Sequence, residues 1–179
     1  MSPQPLAEPL HIYLNDHLTG AFGGAALAAR MARAHPDSRA GDLKRLAGDI
    51  EQDRDDLVRI MNRLGVPVRH YRTWLGLAGE RLGRLKPNGT VVRRSPLSDL
   101  IELETLRTGV EGKAALWRAL RAIADTDPRL DQVELDRLSE RAADQARTLN
   151  GWHRSVSAAV LTPHPGEARA GTGPRRDAP

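Results

Sequence analysis

Residues 43–64, LKRLAGDIEQDRDDLVRIMNRL, have a pattern from which the helical fold of this chain is predicted. Apolar side chains recur there at alternating spacings of three and four residues, the period of an α-helix with one buried face. The stripe predicted to face the core has seven members: Leu43, Leu46, Ile50, Asp53, Leu57, Ile60 and Leu64. Because Asp53 is the one ionisable residue among them, it needs a chemical explanation.

The same helical period recurs in three further stretches, at about 10–35, 97–125 and 129–160. Between the second and third helices lies a connection of roughly thirty residues, 65–96, which is too long for a simple turn. Two helical hairpins joined by a long crossover is the connectivity of ferritin-like bundles. The chain is therefore predicted to be an all-α, ferritin-like four-helix bundle, with the second and third of these helices parallel.

Turn and cap signals divide the chain further. Gly65 is expected to end the second helix, and Pro67 to open a shorter helix within the crossover. Pro87-Asn88-Gly89 is typical of a turn or small hairpin. Ser95 is predicted to cap the third long helix, and the fourth has two candidate starts, Asp127 and Asp131. The predicted organisation is an N-terminal extension at 1–9, a helical domain at 10–161 and a disordered tail at 162–179.

Composition limits the classes of function. The chain has no cysteine, which excludes thiolate metal sites, disulfides and cysteine nucleophiles. Its net charge of +4 is small, and arginine rather than lysine supplies most of the basic residues, so the high isoelectric point is weak evidence for nucleic-acid binding. The first residues lack the pattern of a signal peptide, and no apolar run reaches the length of a membrane span. A cytoplasmic protein without a membrane partner is expected.

Three glycines, Gly20, Gly23 and Gly24, interrupt the first helix. Each glycine in a helix costs up to about 1 kcal/mol relative to alanine, so their presence needs a reason. The ordinary explanation is a close approach by a neighbouring helix. The alternative is a cavity or a ligand beside the glycines.

Polar residues also interrupt the predicted core stripes, and they define a candidate metal site. These residues are His17, Asp53, Glu104, Glu111 and Gln145. A histidine with three carboxylates can hold iron or manganese, but a di-metal site of the ferritin type takes two Glu-x-x-His pairs, which this chain does not have. We therefore expect no cofactor and interpret His17 and Asp53 as a buried hydrogen-bonded pair. The acidic residues around Asp53, including Asp55 and Asp56, are interpreted as a solvated face.

The crossover is the most basic part of the chain, with seven basic residues and one acidic residue between 67 and 94. Tyr71 and Trp74 lie among them, so the segment could bind phosphate groups and stack on bases. Acidic residues of the neighbouring helices are the alternative partners. The candidate anion-binding residues are Arg69, Arg72, Arg84, Arg93 and Arg94.

Two stretches carry a resemblance to a known group: Tyr-Leu-Asn-Asp-His-Leu-Thr-Gly at 13–20 and Arg-Ser-Pro-Leu-Ser-Asp-Leu-Ile-Glu-Leu-Glu at 94–104. Together with the helix layout they resemble uncharacterised bacterial proteins, mainly from actinobacteria, of the ferritin-like superfamily. The resemblance covers about 10–160 and implies a four-helix fold with no particular activity.

Three functions follow as hypotheses. The first is a non-enzymatic helical-bundle protein that acts by binding or assembly and has a degenerate metal site, with a homo-oligomer as one form of assembly. The second is a divergent di-metal carboxylate oxidase or hydroxylase, with a di-iron or manganese centre. The third is a polyanion or nucleic-acid binding module that uses the basic crossover.

Overall fold

The computed structural model describes residues 8–34, 40–68 and 95–162. Four helices make up nearly all of this part of the chain, and it contains no strand. Their bounds are Glu8–Ala34 for α1, Ala40–Leu64 for α2, Pro96–Ile123 for α3 and Gln132–Leu161 for α4. The all-α prediction is confirmed. The predicted shorter helix after Pro67, the turn at 87–89 and the tail from 163 onward lie outside the described residues.

The helix ends agree with the cap signals in the sequence. Ser95 is the N-cap of α3, and its hydroxyl accepts a hydrogen bond from the backbone N–H of Leu97 (3.3 Å). Of the two candidate starts of α4, Asp131 is the N-cap, because its carboxylate accepts from the N–H of Glu134 (3.1 Å). Glu8 lies inside α1, so this helix starts two residues earlier than predicted.

Gly65 ends α2 in the left-handed conformation that favours glycine, with φ +73°. Its N–H donates to the carbonyl of Asn62 (3.1 Å), and the N–H of Val66 donates to the carbonyl of Met61 (2.9 Å). These two hydrogen bonds form a Schellman motif, and Val66 completes it by burying its side chain in the core.

Replacing Gly65 with alanine should therefore lower the free energy of unfolding by about 1–2 kcal/mol, because a Cβ is disfavoured at positive φ. Gly151→Ala, inside α4, is the control. Its Cβ would meet no atom within 4 Å, so the higher helix propensity of alanine should stabilise the chain. Urea denaturation of both variants measures the two changes in the free energy of unfolding. An unchanged free energy of unfolding for Gly65→Ala would contradict this prediction.

Ion pairs between the helices define their directions. Near the start of α4, Glu134 pairs with Arg63 at the end of α2. Farther along α4, Gln145 donates to Asp53 in the middle of α2 (2.8 Å). α4 is therefore antiparallel to α2.

α4 is also antiparallel to α3, since Arg121 pairs with Asp136 at one end (3.1 Å) and Glu104 with His153 at the other (3.0 Å). It follows that α2 and α3 run in the same direction. This agrees with the predicted direction of packing, while the route taken by residues 69–94 lies outside the described part of the chain.

The buried apolar side chains form two clusters. One contains Leu14, Leu57, Trp117 and Leu138, and the other contains Met31, Leu46, Leu106 and Leu149. All seven residues of the stripe predicted for α2 are buried, as expected from their period. Among the described helices, none is long and apolar enough to cross a membrane.

Candidate functional site

A polar layer separates the two apolar clusters at the middle of the helices. On α2, Asp53 lies between Ile50 of one cluster and Leu57 of the other. On α4, Gln145 lies between Ala142 and Leu149 in the same way. Asp53 is 1% exposed, so its charge has to be compensated by neighbouring groups within the protein.

Asp53 accepts hydrogen bonds from three donors on two other helices. Lys113 of α3 donates from Nζ to Oδ2. Arg141 and Gln145 of α4 donate from Nε to Oδ1 (2.7 Å) and from Nε2 to Oδ2 (2.8 Å). A buried ion pair is tolerated when further hydrogen bonds satisfy its polar atoms, and here Lys113 Nζ also donates to the amide oxygen of Gln145.

Asp56 extends this cluster by one turn of α2. Its side chain is 2% exposed and accepts hydrogen bonds from Arg141 and from Arg59 (2.6 Å). Arg59 in turn donates to Glu134 of α4 (3.0 Å). The interpretation of Asp56 as part of a solvated face was therefore wrong, whereas Asp55 is exposed as expected.

We refer to Asp53, Asp56, Lys113, Arg141 and Gln145 as the ion network. Its two carboxylates and two cations balance in charge. The Lys113 side chain is 13% exposed, and burial lowers its pKa despite the opposing charge of Asp53 and its hydrogen bond. The amine is therefore easier to deprotonate than that of a lysine in water.

A cavity of about 300 Å³ lies beside the ion network, between α1, α2 and α3. Asp53 and Lys113 form part of its wall, and most of the remainder is apolar. The apolar lining comes from both clusters: Ile50, Leu57, Leu106, Val110, Leu116 and Trp117. Because the lining residues Asp16, Gly20 and Gly109 are exposed, the cavity opens to solvent on that side.

Four glycines line this cavity: Gly20 and Gly24 of α1, and Gly109 and Gly112 of α3. A Cβ added to any of the four meets no atom within 4 Å. The expectation that the glycines of α1 allow a close helix approach was therefore wrong, because no neighbouring helix is near enough to require the absence of a side chain. The alternative, a cavity beside Gly20 and Gly24, is confirmed.

Trp117, one of the lining residues, carries a buried hydrogen-bond donor that is unpaired within the described part of the chain. It is fully buried, and its indole Nε1–H has no hydrogen-bond partner among the described residues. An unpaired buried donor costs about 1–3 kcal/mol.

The residues predicted to form a metal site are only partly brought together. His17 and Asp53 line the same cavity, but the hydrogen bonds described for Asp53 go to Lys113, Arg141 and Gln145 rather than to His17. The predicted His17–Asp53 pair is therefore not formed. The ring of His17 instead packs edge-on against Tyr13, at a centroid distance of 4.4 Å.

The other two metal candidates lie elsewhere. Glu104 accepts from His153 on the surface, and Glu111 is exposed. One Glu-x-x-His pair, Glu8 with His11, lies in the first turn of α1, whereas a di-metal site of the ferritin type takes two such pairs. In the described part of the chain, no group of three or more histidine, aspartate or glutamate side chains is placed to hold a metal ion. The candidate anion-binding arginines of the crossover, Arg69, Arg72, Arg84, Arg93 and Arg94, are outside the described residues.

Sequence reasoning missed Lys113 and Arg141. A signal for both was present, because each lies on the core-facing period of its helix. Lys113 follows Val110 by three residues, and Arg141 precedes Gln145 by four. Lysine and arginine side chains are usually assigned to the surface, so Lys113 and Arg141 were not predicted to belong to a buried site.

His17 should make stability depend on pH. Burial lowers the pKa of His17 below 6.5, with the charge of Asp16 opposing this effect. The unfolded chain therefore binds the proton more readily than the folded chain, and the free energy of unfolding should fall as the pH decreases below 6.5. His17→Gln should make the free energy of unfolding depend less steeply on pH between about pH 5 and 7, as measured by urea denaturation at several pH values. An unchanged pH dependence in His17→Gln would contradict the assignment of this effect to His17.

Comparison of the chain with protein-family models, with curated proteins and with solved structures found no match. The cavity and the ion network are therefore the features from which a function is inferred.

Proposed function

We propose that this protein binds a small, mainly apolar molecule in the cavity between α1, α2 and α3 of a ferritin-like four-helix bundle. Binding or assembly is the function favoured from the sequence, and the proposal assigns an organic ligand to it. The ligand chemistry that fits is a hydrophobic body with one polar group directed to the ion network.

The observation that carries the proposal is the set of four glycines around the cavity. Each glycine disfavours the helix by up to about 1 kcal/mol, and none is required by a neighbouring atom. A chain selected for stability alone would have alanine at these positions. A binding function explains the glycines, because a bound ligand would occupy the space that they leave free.

The size and lining of the cavity support the same conclusion. Its volume of about 300 Å³ is at the lower end of the roughly 300–1,000 Å³ of small-molecule sites. An apolar cavity of about 150 Å³ holds a benzene ring. A single ring with a polar substituent is therefore a suitable probe.

The experiment uses four probes that share a ring and differ in the polar group: benzyl alcohol, benzaldehyde, benzoate and benzylamine. Binding is measured by native mass spectrometry and by the shift in melting temperature. We expect the wild-type chain to bind the neutral benzyl alcohol. Gly24→Leu should abolish binding, because its side chain fills the cavity.

Gly23→Leu is the matched control. Gly23 is the neighbouring residue in α1, it does not line the cavity, and an added Cβ there also meets no atom within 4 Å. Gly23→Leu should bind benzyl alcohol like the wild type. Equal binding by both leucine variants, or binding of none of the four probes, would contradict the proposed function.

A further inference from the structure

The charge balance of the ion network selects the kind of ligand. Asp53 and Asp56 are buried and are matched by Lys113 and Arg141. At the ion network a charged ligand would meet carboxylates and cations that are already paired with each other, so its own charge would lack a partner there, which is unfavourable. A neutral ligand avoids this penalty, so the polar group of the ligand should be uncharged when it binds.

Lys113 carries the one primary amine among the described residues that line the cavity. The chain has no cysteine, and the lining residues include no serine, threonine or tyrosine. Amines become nucleophilic when they lose their proton, and a buried lysine does so more readily than an exposed one. Burial lowers the pKa of Lys113 in this way.

We infer that Lys113 is a covalent capture site for aldehydes, with Asp53 as the counter-ion of the product. This inference rests on the proposed function, because the aldehyde has to bind in the cavity before it reacts. The free amine attacks the carbonyl carbon, and the resulting carbinolamine loses water to give an imine.

The reaction leaves the ion network balanced. One ammonium group and one aldehyde give one protonated imine and one water molecule, so the nitrogen carries a positive charge before and after the reaction. No oxidant or reductant takes part. Asp53, which already accepts a hydrogen bond from Nζ of Lys113, remains beside the charged nitrogen of the product.

The test is reductive trapping with benzaldehyde. Cyanoborohydride reduces an imine to a stable secondary amine, and the modified lysine is located by peptide mass spectrometry. The chain has three lysines, Lys44, Lys86 and Lys113, so each site is counted separately. We expect Lys113 to be labelled about tenfold faster than the exposed Lys44.

Two controls connect the labelling to the cavity. An excess of benzyl alcohol should slow the labelling of Lys113 and leave Lys44 unchanged. Gly24→Leu should lower the Lys113 rate to that of Lys44, whereas Gly23→Leu should not. Lys113→Arg retains the charge of the ion network and should remove the fast labelled site while the chain stays folded.

The outcomes separate the two proposals. Labelling of Lys113 no faster than that of Lys44 overturns the capture site. If benzyl alcohol still binds in that case, the proposed binding function stands without covalent chemistry. If none of the four probes binds either, both fail.

Discussion

Asp53→Ala is expected to be the most destabilising single substitution in the ion network. Its carboxylate is 1% exposed and accepts from Lys113, Arg141 and Gln145. Its removal leaves Lys113 inside the protein without its carboxylate and Arg141 with Asp56 alone. Breaking a buried ion pair by removing one partner costs about 3–5 kcal/mol. Since whole domains are stable by about 5–15 kcal/mol, urea denaturation should show a large decrease in the midpoint.

Asp55→Ala is the matched control, because Asp55 is on the same helix, two residues away, and exposed. Its ion pair with Arg54 lies on the surface, so its loss should change stability by less than about 1 kcal/mol. The double variant Asp53→Leu with Lys113→Met tests the mechanism. It should be less destabilised than the sum of the two single variants, because no unpaired Lys113 or Asp53 charge is left. Additive effects would contradict a coupled network.

Replacing all four cavity glycines with alanine should cause the second-largest change in the free energy of unfolding. This change should be an increase, whereas Asp53→Ala causes a decrease. Gly20, Gly24, Gly109 and Gly112 lie inside helices, and an added Cβ is free of contacts at each. At up to about 1 kcal/mol per position, the quadruple variant should be more stable by about 2–4 kcal/mol. The same four methyl groups enter the cavity, so affinity for benzyl alcohol should decrease.

The combination of higher stability with weaker binding distinguishes a functional cavity from a packing defect. Gly23→Ala and Gly151→Ala supply the comparison, since both remove a helical glycine that does not line the cavity. They should raise stability without a change in affinity. A quadruple variant that is less stable than the wild type would show that the glycines are needed for the fold.

The helices were predictable because their information is local. All seven residues of the α2 stripe are buried, with Asp56 and Met61 buried beside them, and the cap residues Ser95 and Asp131 carry side chains that accept from the following N–H groups. The Schellman motif at Gly65 is another local signal. Each depends on residues within one or two turns of each other, so periodicity and cap chemistry are sufficient.

The site was less predictable because it depends on distances between helices. The spacing of Gly20 and Gly24 is the same whether a neighbouring helix approaches closely or leaves a cavity, and the sequence does not distinguish these cases. Asp53 was identified as a polar residue in an apolar stripe, but its partners come from residues 60 and more positions away. Arg141 connects Asp53 to Asp56, which is why an aspartate assigned to the surface is buried.

The distribution of the ion network over two hairpins has a consequence for folding kinetics. Asp53 and Asp56 belong to the α1–α2 hairpin, whereas Lys113, Arg141 and Gln145 belong to the α3–α4 hairpin. Each hairpin has a short connection and can form early, because closing a short loop costs little entropy. The network can form only when the hairpins dock, so we expect it to form late in folding. Asp53→Ala should therefore accelerate unfolding and leave the folding rate nearly unchanged.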